Sequence, residues 1–443
     1  MSNFLLCATP AYGHVAPMIA IGRHLVNAGH RVRMLTGSRF AAAVETAGMQ
    51  HIPIPPAADY DDRDINAAFP DGANLKGVRA LRFAVENIFA AAMPHQYREL
   101  RAQIDREPVD AILAETGFTG IVPLLLERDR TRPPVLICGV IPLTVSSRDT
   151  APFGLGLAPS STPIGRIRNT TLNVLVARGI FGRTQRIAQR HLRDLGVRPL
   201  PGFFLDSFDL ADRMLQLTSE GFEYPRSDLR AKVTFVGAIQ PAAGAFDPPT
   251  WWSDLDTERP VVHVTQGTLA NSDLDRLIAP AIAALTDQDV LVVATTGNEA
   301  SAEALRATAP SNVRVAAFLP YDRLLPKVNV MITNGGYGGV QFALAHGVPM
   351  GGRGRHRGEA GDCRSGCLVG HRHQPAHRFA DGTRHRCRRA ADSGRTRIPA
   401  CGPAASGSDD GVHAPGIDHP GAGRGRQVGS RPGCGPAGSL PTP

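Results

Sequence analysis

The sequence predicts an α/β protein built from two doubly wound units, and three observations carry that prediction. At 443 residues the chain is long enough for two full cores. A strand, a turn and a helix open it over residues 4–28, and the same order restarts at residue 261. The apolar run at residues 330–333 stops at a glycine-dense turn, Asn334-Gly335-Gly336-Tyr337-Gly338-Gly339, and passes into a helical pattern through Val340, Phe342, Ala343 and Leu344.

Taken in order, residues 4–9 read as a buried strand and Pro10 to His14 as a turn. Residues 15–28 read as an amphipathic helix closed by Gly29, residues 31–36 as the next strand, and residues 40–47 as a short helix ending at Gly48. This opening implies a right-handed parallel unit. Residues 55–75, polar with several Asp and Pro, predict a mobile loop, and one long helix is expected over residues 75–104. A strand at 111–115, a helix at 118–127 and a strand at 135–141 follow, then a Pro-, Gly- and Ser-rich loop at 142–165 and a basic helical stretch at 166–195. After a Pro- and Ala-rich linker at 241–250, strands are expected at 261–265, 290–295, 313–319 and 330–333, with helices at 272–285 and 339–345.

The net charge of +8 invites a nucleic-acid reading, but its location argues against one. Residues 1–350 hold 33 Lys and Arg against 33 Asp and Glu, whereas residues 351–443 hold 15 Arg and 7 acids. The body is balanced and only the tail is basic. Cys7 and Cys138 sit in apolar runs, where free buried thiols are common. Residues 4–8 are too short and lack the basic flank of a secretory signal, and no apolar run approaches the ~18 residues of a spanning helix. A cytoplasmic location is expected, with the inner face of a membrane as an address if the arginines of residues 166–193 meet anionic lipid or an acidic acceptor.

Phosphate suits the turn at 334–339, because glycines let backbone approach a ligand and a helix N-terminus offers N–H groups and partial positive charge. Such turns are also common in plain α/β proteins. The surrounding residues narrow the reading. Phe318-Leu319-Pro320, then Leu324-Leu325-Pro326, the apolar strand, the glycine turn, and Ala343-Leu344-Ala345-His346-Gly347-Val348-Pro349 together resemble the nucleotide-sugar signature of family 1 glycosyltransferases. These are enzymes of the UDP-glycosyltransferase type, and the chain looks closest to the bacterial branch that decorates lipids and macrolides. The resemblance covers residues 3–350. It implies the GT-B architecture of two facing Rossmann-like domains, with an acceptor-binding domain over residues 1–240 and a nucleotide-sugar domain over 251–350.

The resemblance also assigns roles. Gly13-His14-Val15-Ala16-Pro17 is similar to the Gly-His-x-x-Pro motif that carries the catalytic base. A neutral imidazole can take the proton of an acceptor hydroxyl, worth ~10²–10⁴-fold. The family's partner Asp aligns with Glu115, which reaches one methylene further. On the donor side, Thr268 would reach the diphosphate, Phe318 would stack on the base, and Tyr321 would meet base or ribose. Asn334, Gly335, Gly336, Gly338, Gly339 and Gln341 would surround the phosphates and ribose. Two departures matter. Asn334 replaces the usual phosphate-binding His, and Phe342 occupies the position of the Glu that accepts from ribose hydroxyls. The second departure predicts a thymidine-diphosphate deoxysugar rather than UDP-glucose. The implied chemistry is an inverting displacement that moves a hexose or deoxyhexose from a nucleotide-diphosphate sugar, as co-substrate, to a hydroxyl of a lipid, glycopeptide or polyketide, with no cofactor, no metal, and a small hydrophobic or lipid-like acceptor as partner. Weak or absent activity is expected of this chain.

After Met350 the composition changes. Of 93 residues only 8 are Ile, Leu, Val, Phe, Met, Tyr or Trp, against 20 Gly. Such a segment cannot bury enough apolar surface to offset ordering entropy and is expected to be disordered. It looks like translation of a GC-rich gene in the wrong frame, and it replaces the expected sugar-binding loop. RNA binding by the tail, or zinc held by Cys363, Cys367, His371, His373 and His377, are weaker readings: Arg-Gly-Gly repeats are missing and the spacing is loose. A catalytically inactive nucleotide- or apolar-ligand-binding protein, or a sugar 2-epimerase of the same architecture, stay open as alternatives.

Overall fold

The computed structural model describes residues 1–128, 131–230, 232–239, 246–267 and 273–351. Thr268 and the tail's Cys and His residues fall outside them.

The N-terminal half is a 7-stranded parallel sheet of order β3-β2-β1-β4-β5-β6-β7. The first strands and helices are β1 (Asn3–Cys7), α1 (Tyr12–Asn27), β2 (Arg31–Thr36), α2 (Ala41–Thr46) and β3 (Gln50–Pro53). Then come α3 (Ile65–Ala68), α4 (Gly77–Ala84), α5 (Met93–Arg106), β4 (Ala111–Glu115), α6 (Ile121–Leu125) and β5 (Val135–Gly139). The half is completed by α7 (Pro163–Leu175), α8 (Gly182–Asp194), β6 (Arg213–Gln216) and β7 (Val233–Phe235). The central strands are mostly apolar because helices cover both faces, with Arg33 of β2 and Glu115 of β4 the buried charged residues among them. Leu5, Ile112 and Ile137 face one core, and Leu6, Met34 and Cys138 face the other.

The C-terminal half is a 5-stranded parallel sheet of order β10-β9-β8-β11-β12. Its elements are β8 (Val261–Thr265), α9 (Ile278–Leu285), β9 (Leu291–Thr295), α10 (Glu299–Arg306), β10 (Val313–Ala316), α11 (Tyr321–Leu324), β11 (Val330–Thr333), α12 (Tyr337–Ala345) and β12 (Met350–Gly351). Phe246, inside the expected linker, packs on Trp252 at 4.9 Å between ring centroids and so belongs to this half. The tail's expected start is also displaced, since Gly351 still pairs with Ile332 of β11.

Three expectations change. The expected turn at residues 10–14 is helix from Tyr12 onward, so His14 lies in the first turn of α1. The 55–75 loop contains short helical turns, two of them capped by the side chains of Asp61 and Asp64. The long helix over 75–104 is interrupted by a π-helical turn at Val85–Ala90. Such insertions accommodate an extra residue in the ladder and often accompany functional sites.

Each sheet has one topological switch point, where chains leaving neighbouring strands depart in opposite directions. In the first sheet it lies between β1 and β4, and in the second between β8 and β11. Open α/β sheets bind ligands at this place, beyond the strands' carboxyl ends.

Candidate active site

His14 and Glu115 occupy the first switch point. Cys7 of β1 pairs with Ala114 of β4, so the residues following each strand emerge side by side. Glu115 ends β4 and is fully buried. Its Oε1 accepts from the Thr9 N–H at 2.9 Å, and its Oε2 accepts from the Gly117 N–H and lies 2.5 Å from His14 Nδ1. The added methylene of Glu is therefore compatible with a direct contact. Three donors converge on one carboxylate, which is how a buried charge is tolerated.

The His14 side chain is 18 % exposed. Burial alone would lower its pKa, but attraction to Glu115 and the hydrogen bond to it outweigh burial, and the net shift is upward from 6.5. With Nδ1–H donated to the carboxylate, Nε2 is left as the basic nitrogen. Pro17 follows within α1 and lacks the N–H that a regular helix would bond to the Gly13 carbonyl. The first turn is held from outside, where the Tyr12 N–H donates to Asp62 at 2.7 Å. Asp62 is itself ion-paired with Arg39.

Space around the imidazole is tight. A Cβ on Gly117 would lie 3.0 Å from His14 Nδ1 and Cε1 and 3.0 Å from Phe89. Phe89 comes from the π-helical turn and stands 6.3 Å from the His14 ring. Sequence reading missed Gly117, Phe89 and Asp62. Gly117 alone carried a signal, as a glycine two residues after the aligned acid. Burial raises the pKa of Cys7, and that of Cys138 to about 12, with Glu115 adding to both, so these two free thiols stay protonated.

The second switch point carries the glycine turn. Thr333 pairs with Thr265, so the ends of β8 and β11 emerge together. Gly335 adopts φ +87°, which favours glycine, and Gly336 caps α12 with no side chain. Gly338 is exposed, and a Cβ there would meet nothing within 4 Å. Gly339 lies deeper, over Met331 and Tyr321. Asn334 donates its amide to the Gln266 carbonyl at 2.8 Å, tying the turn to the end of β8.

Two expected donor contacts take other directions. The Tyr321 hydroxyl turns inward, 3.4 Å from His263 Nε2, and its ring packs edge-on against Phe342 at 5.4 Å. His263 is kept neutral by burial, its pKa lowered to about 4, and its Nδ1–H donates to the Val293 carbonyl at 3.0 Å. Gln341 is buried and accepts from the Thr218 hydroxyl at 2.9 Å, so it joins the two halves. Phe318, by contrast, is 56 % exposed at the end of β10.

Contacts between the halves come from these same strand ends. Tyr12, two residues before His14, meets Phe318 edge-on at 6.1 Å. Tyr337, next to Gly336, accepts from Gln216 at 3.2 Å and packs on Phe222. The carboxyl edges of the two sheets thus face one another, with the imidazole on one side and the glycine turn on the other.

Residues 5–114 match the glycosyltransferase family 28 N-terminal domain, and residues 156–354 match the UDP-glucoronosyl and UDP-glucosyl transferase family. The chain is 43 % identical over 351 residues to 4'-demethylrebeccamycin synthase of Lentzea aerocolonigenes, covering 79 % of this chain and 82 % of that protein. It is 35 % identical over 364 residues to UDP-glycosyltransferase 2 of Phaeomoniella chlamydospora, covering 79 % of each. A crystal structure of the kitacinnamycin glycosyltransferase superposes with a TM-score of 0.65 at 19 % identity, over 89 % of this chain and 91 % of that one. With facing sheets, matching segments in both halves and relatives aligned over most of their length, the chain belongs to the UDP-glycosyltransferase family, sugar-nucleotide-dependent transferases of the GT-B fold.

Proposed function

We propose that this chain transfers a hexose or deoxyhexose from a nucleotide-diphosphate sugar to a hydroxyl of a small, largely apolar acceptor, by one inverting displacement with His14 as base. The observation that carries this reading is the His14–Glu115 pair, with Nδ1 held by a buried carboxylate at the sheet's switch point. Nε2 takes the acceptor proton as the acceptor oxygen bonds to the anomeric carbon. The bond from that carbon to the phosphate oxygen breaks, and the nucleotide diphosphate leaves with its electron pair. Glu115 stabilises the imidazolium, and the first turn of α12 receives the phosphate charge.

A cavity of 470 Å³ supports a small acceptor. Its lining mixes Tyr60, Phe69 and Ile88 with the carboxylates Asp59, Asp61 and Asp64, and it adjoins His14 only through Ile88, the neighbour of Phe89. Tyr60 stays un-ionised because burial, then the charges of Glu115 and Asp59, raise its pKa. The relative named for 4'-demethylrebeccamycin favours a small natural product over a lipid or glycopeptide. Phe342 packed on Tyr321 leaves no carboxylate for ribose hydroxyls, which favours a thymidine-diphosphate donor.

Turnover by the chain as it stands is expected to be weak, because the family match ends at residue 354 and the composition after residue 351 carries no acidic sugar-binding loop of the family pattern. The test is nucleotide-diphosphate release from UDP- and TDP-sugars with a panel of hydroxylated aromatic acceptors. Acceptor-dependent release that His14→Ala abolishes supports the reading. Nucleotide binding without turnover supports an inactive binding protein, and free sugar without acceptor supports an epimerase. Tighter binding of UDP than TDP would end the thymidine proposal alone.

A further inference from the structure

The outward face of α7 is unusual. Ile164 is 83 % exposed, Ile167 68 %, Leu175 59 % and Val174 43 %. At 100° per residue these positions share one side of the helix with Thr171 and with Arg168, whose guanidinium is turned to the Asn169 side chain and the Ala158 carbonyl, and Arg178 continues the stripe in the π-helical turn Val176–Ile180. The opposite side, including Gly165 and Asn169, is buried. Leu155 and Leu157, in the loop that leads into α7, are also exposed. Four aliphatic side chains held in water along one helix are costly for a surface with no partner.

Charge identifies the partner. Residues 151–193 contain seven Arg and neither Asp nor Glu. Within this stretch Arg166 pairs with Asp149 and Arg183 with Glu86, both from other elements. Among the described residues Arg178, Arg186 and Arg190 make no ion pair. Arg183, Arg186, Arg190 and Arg193 are the exposed arginines of α8. A second copy docking on α7 by two-fold symmetry would set Arg168 and Arg178 against their own images with no carboxylate on α7 to pair them; the flanking acids are Asp149, already paired with Arg166, and Asp194 at the far end of α8. The 15 Arg and 7 acids of residues 351–443 make that segment an equally poor cover. An anionic surface that accepts aliphatic side chains between its charges meets both requirements.

We propose that α7 is a membrane-surface contact, with Ile164, Ile167, Val174 and Leu175 entering the headgroup boundary of an anionic bilayer and Arg178, in the π-helical turn that follows, meeting lipid phosphate. This goes beyond the transfer reaction and does not depend on it. No helix among the described residues is long and apolar enough to cross a membrane, so this contact would lie in the plane of the surface.

The test uses the full chain with vesicles of phosphatidylcholine alone and of phosphatidylcholine with phosphatidylglycerol, at low and physiological salt. Binding is expected only with phosphatidylglycerol and should weaken with salt. Ile164→Ser with Ile167→Ser should lower the partition coefficient at least ~10-fold, since two large apolar side chains no longer enter the boundary. Arg178→Ser with Arg186→Ser should lower it by roughly 10-fold or more. Both pairs should leave the melting temperature unchanged. Vesicle binding that survives both pairs would assign it to the arginine-rich segment and overturn the proposal. Failure to bind at low salt, or a dimer in sedimentation that the Ile pair dissociates, would overturn it as well.

Discussion

Glu115→Gln is the sharpest probe of the site, because the change is nearly isosteric and its consequences can be worked out atom by atom. The carboxylate accepts from three donors, the N–H groups of Thr9 and Gly117 and Nδ1–H of His14. An amide has one acceptor oxygen. If that oxygen faces Thr9, the NH₂ meets the Gly117 N–H and the imidazole. Nδ1 must then accept, the proton moves to Nε2, and the nitrogen needed as base is blocked. If the amide is reversed, Thr9 faces a donor. Either arrangement leaves a buried donor unpaired, costing ~1–3 kcal/mol. In a domain of this size that lowers the melting temperature by roughly 2–12 °C. The first arrangement loses the base, which should lower kcat by ~10²–10⁴-fold, and the second lowers kcat because a neutral amide no longer stabilises the imidazolium. The titration of His14 gives a readout that does not require turnover. In the wild type its pKa lies above 6.5, because Glu115 outweighs burial. The pair's contribution to stability is therefore complete below 6.5 and is lost as pH rises through the raised value. In Glu115→Gln only burial remains, so the pKa should fall below 6.5 and this loss of stability on raising the pH should vanish. An NMR titration of the His14 ring checks both proteins. An unshifted His14 pKa in the variant, or unchanged kcat, would refute the argument.

Other substitutions test the remaining geometry. Phe318→Ala should weaken nucleotide binding by ~5–150-fold, the worth of a lost aromatic stack, with little change in melting temperature because the ring is exposed. Calorimetric titration with TDP measures it. Gly117→Ala places a methyl 3.0 Å from His14 and Phe89 and should lower kcat by up to ~10²-fold while leaving nucleotide affinity intact. Steady-state kinetics beside nucleotide titration separates the two. Asp62→Ala removes the acceptor of the Tyr12 N–H and should cost ~0.5–2 kcal/mol, read by denaturant unfolding. An unchanged unfolding midpoint would count against that capping role.

Much of the fold was legible because its signals are local. Apolar runs at residues 4–9, 111–115, 261–265 and 330–333 name the central strands, and each lies where expected to within a few residues. The edge strands β3, β7 and β12 are short and only partly buried, so they carry little periodic signal. The break in the helix over 75–104 was invisible, because a π-helical turn preserves helical composition while shifting the register.

The site divides along the same line. Residue order by itself pointed to the two Rossmann-like halves and the Gly-His-x-x-Pro and glycine-turn motifs; Glu115 was named beside His14 only through the family resemblance, and the structure supplies their contact. Side-chain direction was decided only by the tertiary structure. Tyr321 and Gln341 sit at motif positions, yet one hydroxyl turns to His263 and one amide to Thr218. Gly117, Phe89 and Asp62 matter to His14 only because β1, β4, the π-helical turn Val85–Ala90 and the short turn Asp62–Asp64 converge on it. Spacing along a chain fixes which residues can share an element, whereas packing between elements sets where each polar atom finds its partner.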